Sequence, residues 1–331
     1  MSAPQFPRPM TNFKRVIQAP VACTLIALSL QGCANAQADA HRSRPSPVCE
    51  AIVAGKMERA IKLVEQGADV NADRGCALIA AAARDELKLV QLLLDHGANP
   101  NRIVSGDAAE IMGSSAPLVA AVQSRDTQMV RLLLERGADP RDNFEAFEIV
   151  LNFSNVEMAE LLLRHGANAN MTQRRQRNVY ASVEVTPNNW QQVKVPPRDL
   201  EPDRIDETAK RFQCSMGDSS ESLLYLAAGG SGGPGGVGGP EAHSLDRIVE
   251  LLLAHGADPN ARTINGSTPL MFAASQHNHG VMTLLMDAGA DVKATDRCGH
   301  AAEGYADRYP RNQRAPLAPQ TKALLQERQR T

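Results

Sequence analysis

The chain has 331 residues, 43% of them hydrophobic but only 4% aromatic, with 35 basic and 37 acidic side chains and a formal net charge of −2. That length is large for one globular domain but natural for a solenoid that grows by stacking thin layers of Leu and Ala. The charge balance leaves no basic footprint, which excludes nucleic acid as a default partner.

Residues 1–32 carry Arg8, Lys14 and Arg15 and no acid, leaving 32 basic against 37 acidic residues and a net of −5 in the remainder. Lys14 and Arg15 precede the mostly apolar Val16–Leu30, which is the layout of a secretory signal. Leu30-Gln31-Gly32-Cys33 resembles a bacterial lipobox, with Gln31 off the commonest pattern. The resemblance implies a signal over 1–32 and a lipidated, palmitate-bearing Cys33 as the mature N-terminus, with Met1 or Met10 as the start. Gln18 and Pro20 break the apolar stretch short of the ~20 residues a spanning helix wants, which argues against an uncleaved anchor. Ala34, not Asp, follows the cysteine. Under the enterobacterial sorting rule this implies an outer-membrane destination facing the periplasm. Residues 33–47 are small, polar and Pro-containing and read as a flexible tether.

From residue 48 onward one pattern recurs. Gly67, Gly97, Gly137, Gly166, Gly256 and Gly289 are each followed by Ala and then Asp or Asn, and each closes a short apolar helix pattern. Three leucines precede the glycine in four copies, at 92–94, 132–134, 161–163 and 251–253. Glycine suits a left-handed helix C-terminus, and the Asx residue suits the tight turn after it. A second piece, Asn265-Gly266-Ser267-Thr268-Pro269-Leu270-Met271-Phe272-Ala273-Ala274, has worn relatives at 76–81, 116–121 and 222–228. Together these resemble the ankyrin repeat, in which a turn and Thr-Pro-Leu-His-x-Ala open helix A, and a helix B ends at the Gly turn. The glycines lie 30, 40, 29, 90 and 33 apart, so two gaps are insertions into a period near 33. The resemblance implies an all-α ankyrin solenoid of about seven repeats over 48–331; the small β-hairpin expected in one insertion rests on that segment's own alternation.

In chain order the repeats are expected at 48–71, 74–101, 116–142, 143–170, 220–260, 263–293 and 296–331. In the first, helices are expected near Val48–Val53 and Lys56–Gln66, and Arg59 and Lys62 stand where later helices B have apolar residues. A polar stripe there marks an N-terminal cap; a functional basic patch is the other reading. Phe144, Phe147 and Phe153 make the fourth helix A aromatic and read as core. The insertions cover 102–115 and 171–220. Within the second, Val179–Val185 and Trp190–Val195 alternate around Thr186-Pro187-Asn188-Asn189 and read as a β-hairpin, and Glu201–Phe212 as a short helix. The Gly-rich run 229–240 reads as a flexible loop between helix A and a helix B at Leu245–His255; no Gly-Lys-Ser/Thr follows to make it a phosphate loop. The last helix, Thr321–Gln329, is polar and reads as the C-terminal cap.

Chemistry-bearing residues are few. His96, His165 and His255 precede capping glycines, where imidazoles donate to free carbonyls instead of converging on a metal. His277 and His279 are a weak metal hint on their own. No catalytic set is legible, no cofactor is implied, and an enzyme is not expected. With Cys23 in the signal and Cys33 lipidated, four cysteines remain. Cys49 with Cys76, and Cys214 with Cys298, are candidate disulfides; small core residues are the alternative.

The expected role is therefore recognition: an envelope-anchored scaffold, expected to be a monomer, binding a protein partner through its concave face and inserted loops. Tyr180, Trp190, Val193, Arg174 and Arg175 are the candidate contacts, since aromatic and Arg side chains anchor interfaces. The other placement packs the hairpin's apolar face back on the solenoid. An immunity-type or enzyme-protecting protein that neutralises or stabilises one specific partner is the alternative function.

Overall fold

A computed structural model describes residues 46–104, 114–172, 180–186, 189–194, 221–229, 240–306 and 318–330. Its helices come in pairs. In the first three repeats they are α1 (Pro47–Val53) and α2 (Met57–Glu65), α3 (Ala72–Ala83) and α4 (Leu87–Asp95), α5 (Pro117–Ser124) and α6 (Thr127–Glu135). The fourth and fifth repeats hold α7 (Phe144–Asn152) and α8 (Val156–Arg164), then α9 (Leu223–Ala228) and α10 (Pro240–Ala254). The last two hold α11 (Pro269–Gln276) and α12 (His279–Asp287), then α13 (Ala302–Ala306) and α14 (Ala318–Arg330). Each odd-numbered helix packs on the next odd-numbered one and each even-numbered on the next even-numbered one. The result is two parallel layers of helices, an ankyrin-repeat solenoid.

The leucine trios explain the stacking. Leu93, Leu133, Leu162, Leu252 and Leu285 are fully or nearly fully buried between layers, and Leu92, Leu132, Leu251 and Leu284 are half-buried against neighbours. Leu89, Met129, Met158, Ile248 and Val281, one helical turn earlier, are buried as well. In α2 the corresponding Arg59 and Lys62 are exposed. Phe147 is fully buried, whereas Phe144 and Phe153 are half-buried, with the Arg125 guanidinium 3.7 Å above the Phe153 ring.

Two helix starts differ from expectation. The helical run of α3 begins at Ala72, yet Asp73 and Gly75 have φ of +51° and +82°, so its regular turns begin near Cys76. Asp73 is held there by accepting from Ser46 N–H. α10 begins at Pro240, not Leu245, because proline is at ease in a first helical turn; the loop is shorter than 229–240 accordingly. Gly229 at its start has a specific cause: a Cβ there would lie 2.0 Å from Phe272 Cε1.

The hairpin is present as β1 (Tyr180–Thr186) and β2 (Asn189–Lys194), paired antiparallel with an irregularity between Glu184 and Thr186. Tyr180 pairs with Lys194, Glu184 with Trp190 and Ala181 with Val193. By alternation Tyr180 and Trp190 hold register positions of one face and Val193 of the other. Arg174, Arg175, Cys214, the expected helix at 201–212, and the signal, Cys33 and nearly all of the tether lie outside the described residues.

Candidate interaction edge

One edge of the stack is built from the turns. Gly67, Gly97, Gly137, Gly166, Gly256 and Gly289 all have φ between +82° and +93°, which ends each helix B without a Cβ clash. After four of these turns an asparagine reaches the next repeat with both of its polar atoms. Asn71 Nδ2 donates to Gly97 O (2.8 Å) and Asn71 Oδ1 accepts from Asn99 N–H (2.8 Å). Asn101 does the same to Gly137 O (2.8 Å) and Asp139 N–H (2.7 Å), and Asn260 to Gly289 O (3.0 Å) and Asp291 N–H (2.7 Å). Asn170 joins Gly256 O (2.7 Å) and Asp258 N–H (2.7 Å). Sequence reasoning missed this ladder, although the signal was there: an asparagine four residues after the glycine in four repeats.

Beyond the ladder several repeats form a finger. In the sixth it is a tight turn, closed by Thr263 N–H donating to Ser267 O (3.0 Å). The seventh is closed the same way, by Asp296 N–H donating to His300 O (2.9 Å). The corresponding pair in the third repeat is Val104 N–H to Ser115 O (2.8 Å), which encloses residues 105–114 instead of three. Ahead of the fifth repeat, Leu223 N–H donates to Met171 O (3.2 Å) and Thr172 forms a bridge with Ser222. Both insertions thus leave and re-enter the stack at the finger position. Ile103, at the base of the first, is 71% exposed.

On the helix-A layer, Ala80 and Ala120 are buried and small, while Ile149, Leu226 and Phe272 at the matching positions are bulky and half-buried. Tyr225 stacks on Phe272 with centroids 4.6 Å apart.

Four of the described histidines are occupied structurally. His96 Nδ1 donates to Leu92 O (2.9 Å) and His255 Nδ1 to Leu251 O (2.8 Å), since a carbonyl can only accept. His277 caps α11 and His279 opens α12, and Nδ1 of the first and Nε2 of the second converge on Thr321 Oγ1 at 2.9 and 2.8 Å, pinning α14. Asp296, Cys298 and His300 cluster closely enough to resemble a metal-ligand set. Cys298 is disulfide-bonded, which removes its thiolate, and Asp296 instead accepts from Cys298 N–H (2.9 Å), His300 N–H (2.8 Å) and Tyr305 O–H (2.8 Å). Cys49 and Cys76 form a disulfide between α1 and α3, with Cα atoms 5.8 Å apart.

The comparisons with known proteins agree with this geometry. Models of the ankyrin repeat match residues 76–104, 115–143 and 241–306. A putative ankyrin repeat-containing protein of Treponema pallidum is 46% identical over 18% of this chain and 20% of its own length. The inactive serine/threonine-protein kinase TEX14 of Bos taurus is 39% identical over 19% of this chain and 4% of its own. The potassium channel KOR1 of rice (Oryza sativa subsp. japonica) is 49% identical over 16% and 6%. The chain thus spans a fifth or less of these relatives' lengths. Among solved structures, the ankyrin repeat domain of human ASB11 is 21% identical with a TM-score of 0.50, covering 83% of this chain and 97% of that one. The ankyrin repeat domain of Bcl-3 is 19% identical with a TM-score of 0.53, covering 84% and 98%. The chain carries ankyrin repeats. Its described repeats form an ankyrin-repeat solenoid in which two fingers have been lengthened.

Proposed function

We propose that this chain is an envelope-anchored scaffold that holds a protein partner between its helix-A face and its two lengthened fingers. The observation that carries the reading is the closure of both insertions at finger bases, by Val104 with Ser115 and by Met171 with Leu223. Material added there extends the edge from which repeats present residues, and leaves the core undisturbed. Tyr180 and Trp190, on one face of the second finger's hairpin, are the aromatic anchors in this reading, Val193 extends the opposite face, and Arg174 and Arg175 supply charge. The Cys49–Cys76 disulfide supports an oxidising compartment, as expected for a lipoprotein tethered through Cys33 outside the cytoplasm.

Crosslinking and pull-down from the envelope, with the whole chain and with a variant lacking 173–220, tests the recognition element. Partner capture should be lost with the second finger; unchanged capture would place binding elsewhere. Palmitate labelling of wild type against Cys33→Ala tests the anchor, and equal labelling defeats it.

A further inference from the structure

We propose that the seam between the third and fourth repeats is a hinge built into the solenoid, lying between the two lengthened fingers. At four seams one asparagine donates to the next turn's glycine carbonyl and accepts the amide two residues further on. At this seam the residue four after Gly137 is Arg141. A guanidinium has no acceptor, so it cannot receive the Asn168 amide. Arg141 turns back on its own turn instead, with Nε and Nη2 donating to the Asp139 carboxylate at 2.9 and 2.6 Å. Asn168 N–H is left with a longer bond, 3.3 Å, to Arg141 O. Among the described residues no donor reaches Gly166 O.

The remaining ties across this seam lie elsewhere. Ser115 Oγ donates to Glu145 Oε2 (2.8 Å), Arg125 covers Phe153, and Arg131 faces Glu157 at 3.6 Å, largely through exposed side chains. The packed helices resist separation, so the motion left open is a small rotation that parts the turn edge. Lys293 also stands in place of asparagine, but the sixth and seventh repeats are joined otherwise. Arg297 N–H donates to Asn265 O and Arg297 Nε to Ile264 O, both at 2.9 Å, and Ser267 bonds Tyr305 at 2.7 Å. The seams bearing the insertions keep their asparagines, Asn101 and Asn170. Each finger is therefore clamped to its own block of repeats, and the unclamped seam sets the gap between them.

Residue-resolved amide hydrogen exchange on the whole mature chain tests this. After correction for intrinsic rates, Asn168 N–H should exchange at least about tenfold faster than the amides of Asn99, Asp139, Asp258 and Asp291. Arg141→Asn, which restores the clamp on an exposed turn, should slow it about tenfold. Equal protection in the wild type, or protection unmoved by Arg141→Asn, overturns the proposal. Spin labels attached through p-acetylphenylalanine at positions 103 and 172, both exposed, give a second reading. Their distance distribution should narrow in Arg141→Asn, and equal widths count against a hinge.

Discussion

Asp258 N–H donates to Asn170 Oδ1 at 2.7 Å although 88 residues separate the two in the chain. The same asparagine donates to Gly256 O at 2.7 Å, so the fourth and fifth repeats are joined as directly as any neighbours without an insertion. The helices agree, since α7 packs on α9 and α8 on α10.

The second finger should therefore be dispensable for folding. Replacing 173–221 by Asn-Gly spans the Thr172–Ser222 bridge with a two-residue hairpin turn, and Cys298→Ser in the same variant avoids a free thiol. Helical circular dichroism should persist with a Tm within about 4 °C of wild type. A second, lower transition would mean that the insertion holds the halves together. Asn170→Ala, by contrast, removes two exposed hydrogen bonds and should cost about 1–2 kcal/mol in urea unfolding. Leu252→Ala, in the buried layer beneath, should cost about 2–5 kcal/mol.

Much of the fold was legible because the repeat writes its physics locally. A glycine that must be left-handed, a leucine trio that must be covered and a proline that tolerates a first turn each mark a boundary without reference to distant chain. The insertions showed as breaks in spacing for the same reason. What could not be read was long-range. The ladder of Asn71, Asn101, Asn170 and Asn260 joins repeats, and asparagine in a turn already has a local explanation. Thr321 looked like one polar residue of a cap helix, yet its hydroxyl is the meeting point of two histidines from the preceding repeat. The candidate contacts in the second finger stayed beyond sequence reasoning because a hairpin pattern sets pairing and alternation, not what the faces touch.

The Cys49–Cys76 bridge closes a loop with a sequence separation of 27 that contains all of α2. Chain-entropy arguments put its contribution at about 3–4 kcal/mol. An end repeat has a neighbour on one side only, so the loss in Cys49→Ala/Cys76→Ala should concentrate there. Hydrogen exchange should rise in residues 47–71 and stay unchanged beyond the third repeat. A mass unchanged on reduction, after alkylation of the unfolded protein, would rule the bridge out.

The turn between α6 and α7 makes a pH prediction. Hydrogen bonds from the Arg141 side chain, and then from its backbone, hold the Asp139 carboxyl below the usual carboxylate range. A lowered folded value stabilises above the unfolded pKa of about 3.9 and is lost only as pH falls through the lower folded value. Stability from pH 5 to 8 should therefore be indifferent to this pair, and its exposure keeps the acid effect small. In a carboxyl-detected NMR titration, the Asp139 midpoint should lie below the usual carboxylate range and rise in Arg141→Ala. An unmoved midpoint would mean that Arg141 is not the cause.

The seventh repeat is fastened by a buried relay. Tyr305 O–H donates to Asp296 Oδ2 at 2.8 Å, so its oxygen accepts from Ser267 O–H at 2.7 Å. Ser267 is fully buried and Asp296 is 4% exposed. Removing the phenol oxygen by Tyr305→Phe strands a buried donor on Ser267 and takes one of four donors from a buried carboxylate, the others being the Cys298 and His300 amides and His300 Nδ1. The cost should be about 1–3 kcal/mol, felt as faster exchange across 263–306 before global unfolding. Ser267→Ala removes the stranded donor, so the double variant should be less destabilised than the sum of the two single variants. Strict additivity would show that the two hydroxyls are not coupled and that the seventh repeat is held by its apolar contacts, Leu325 among them, alone.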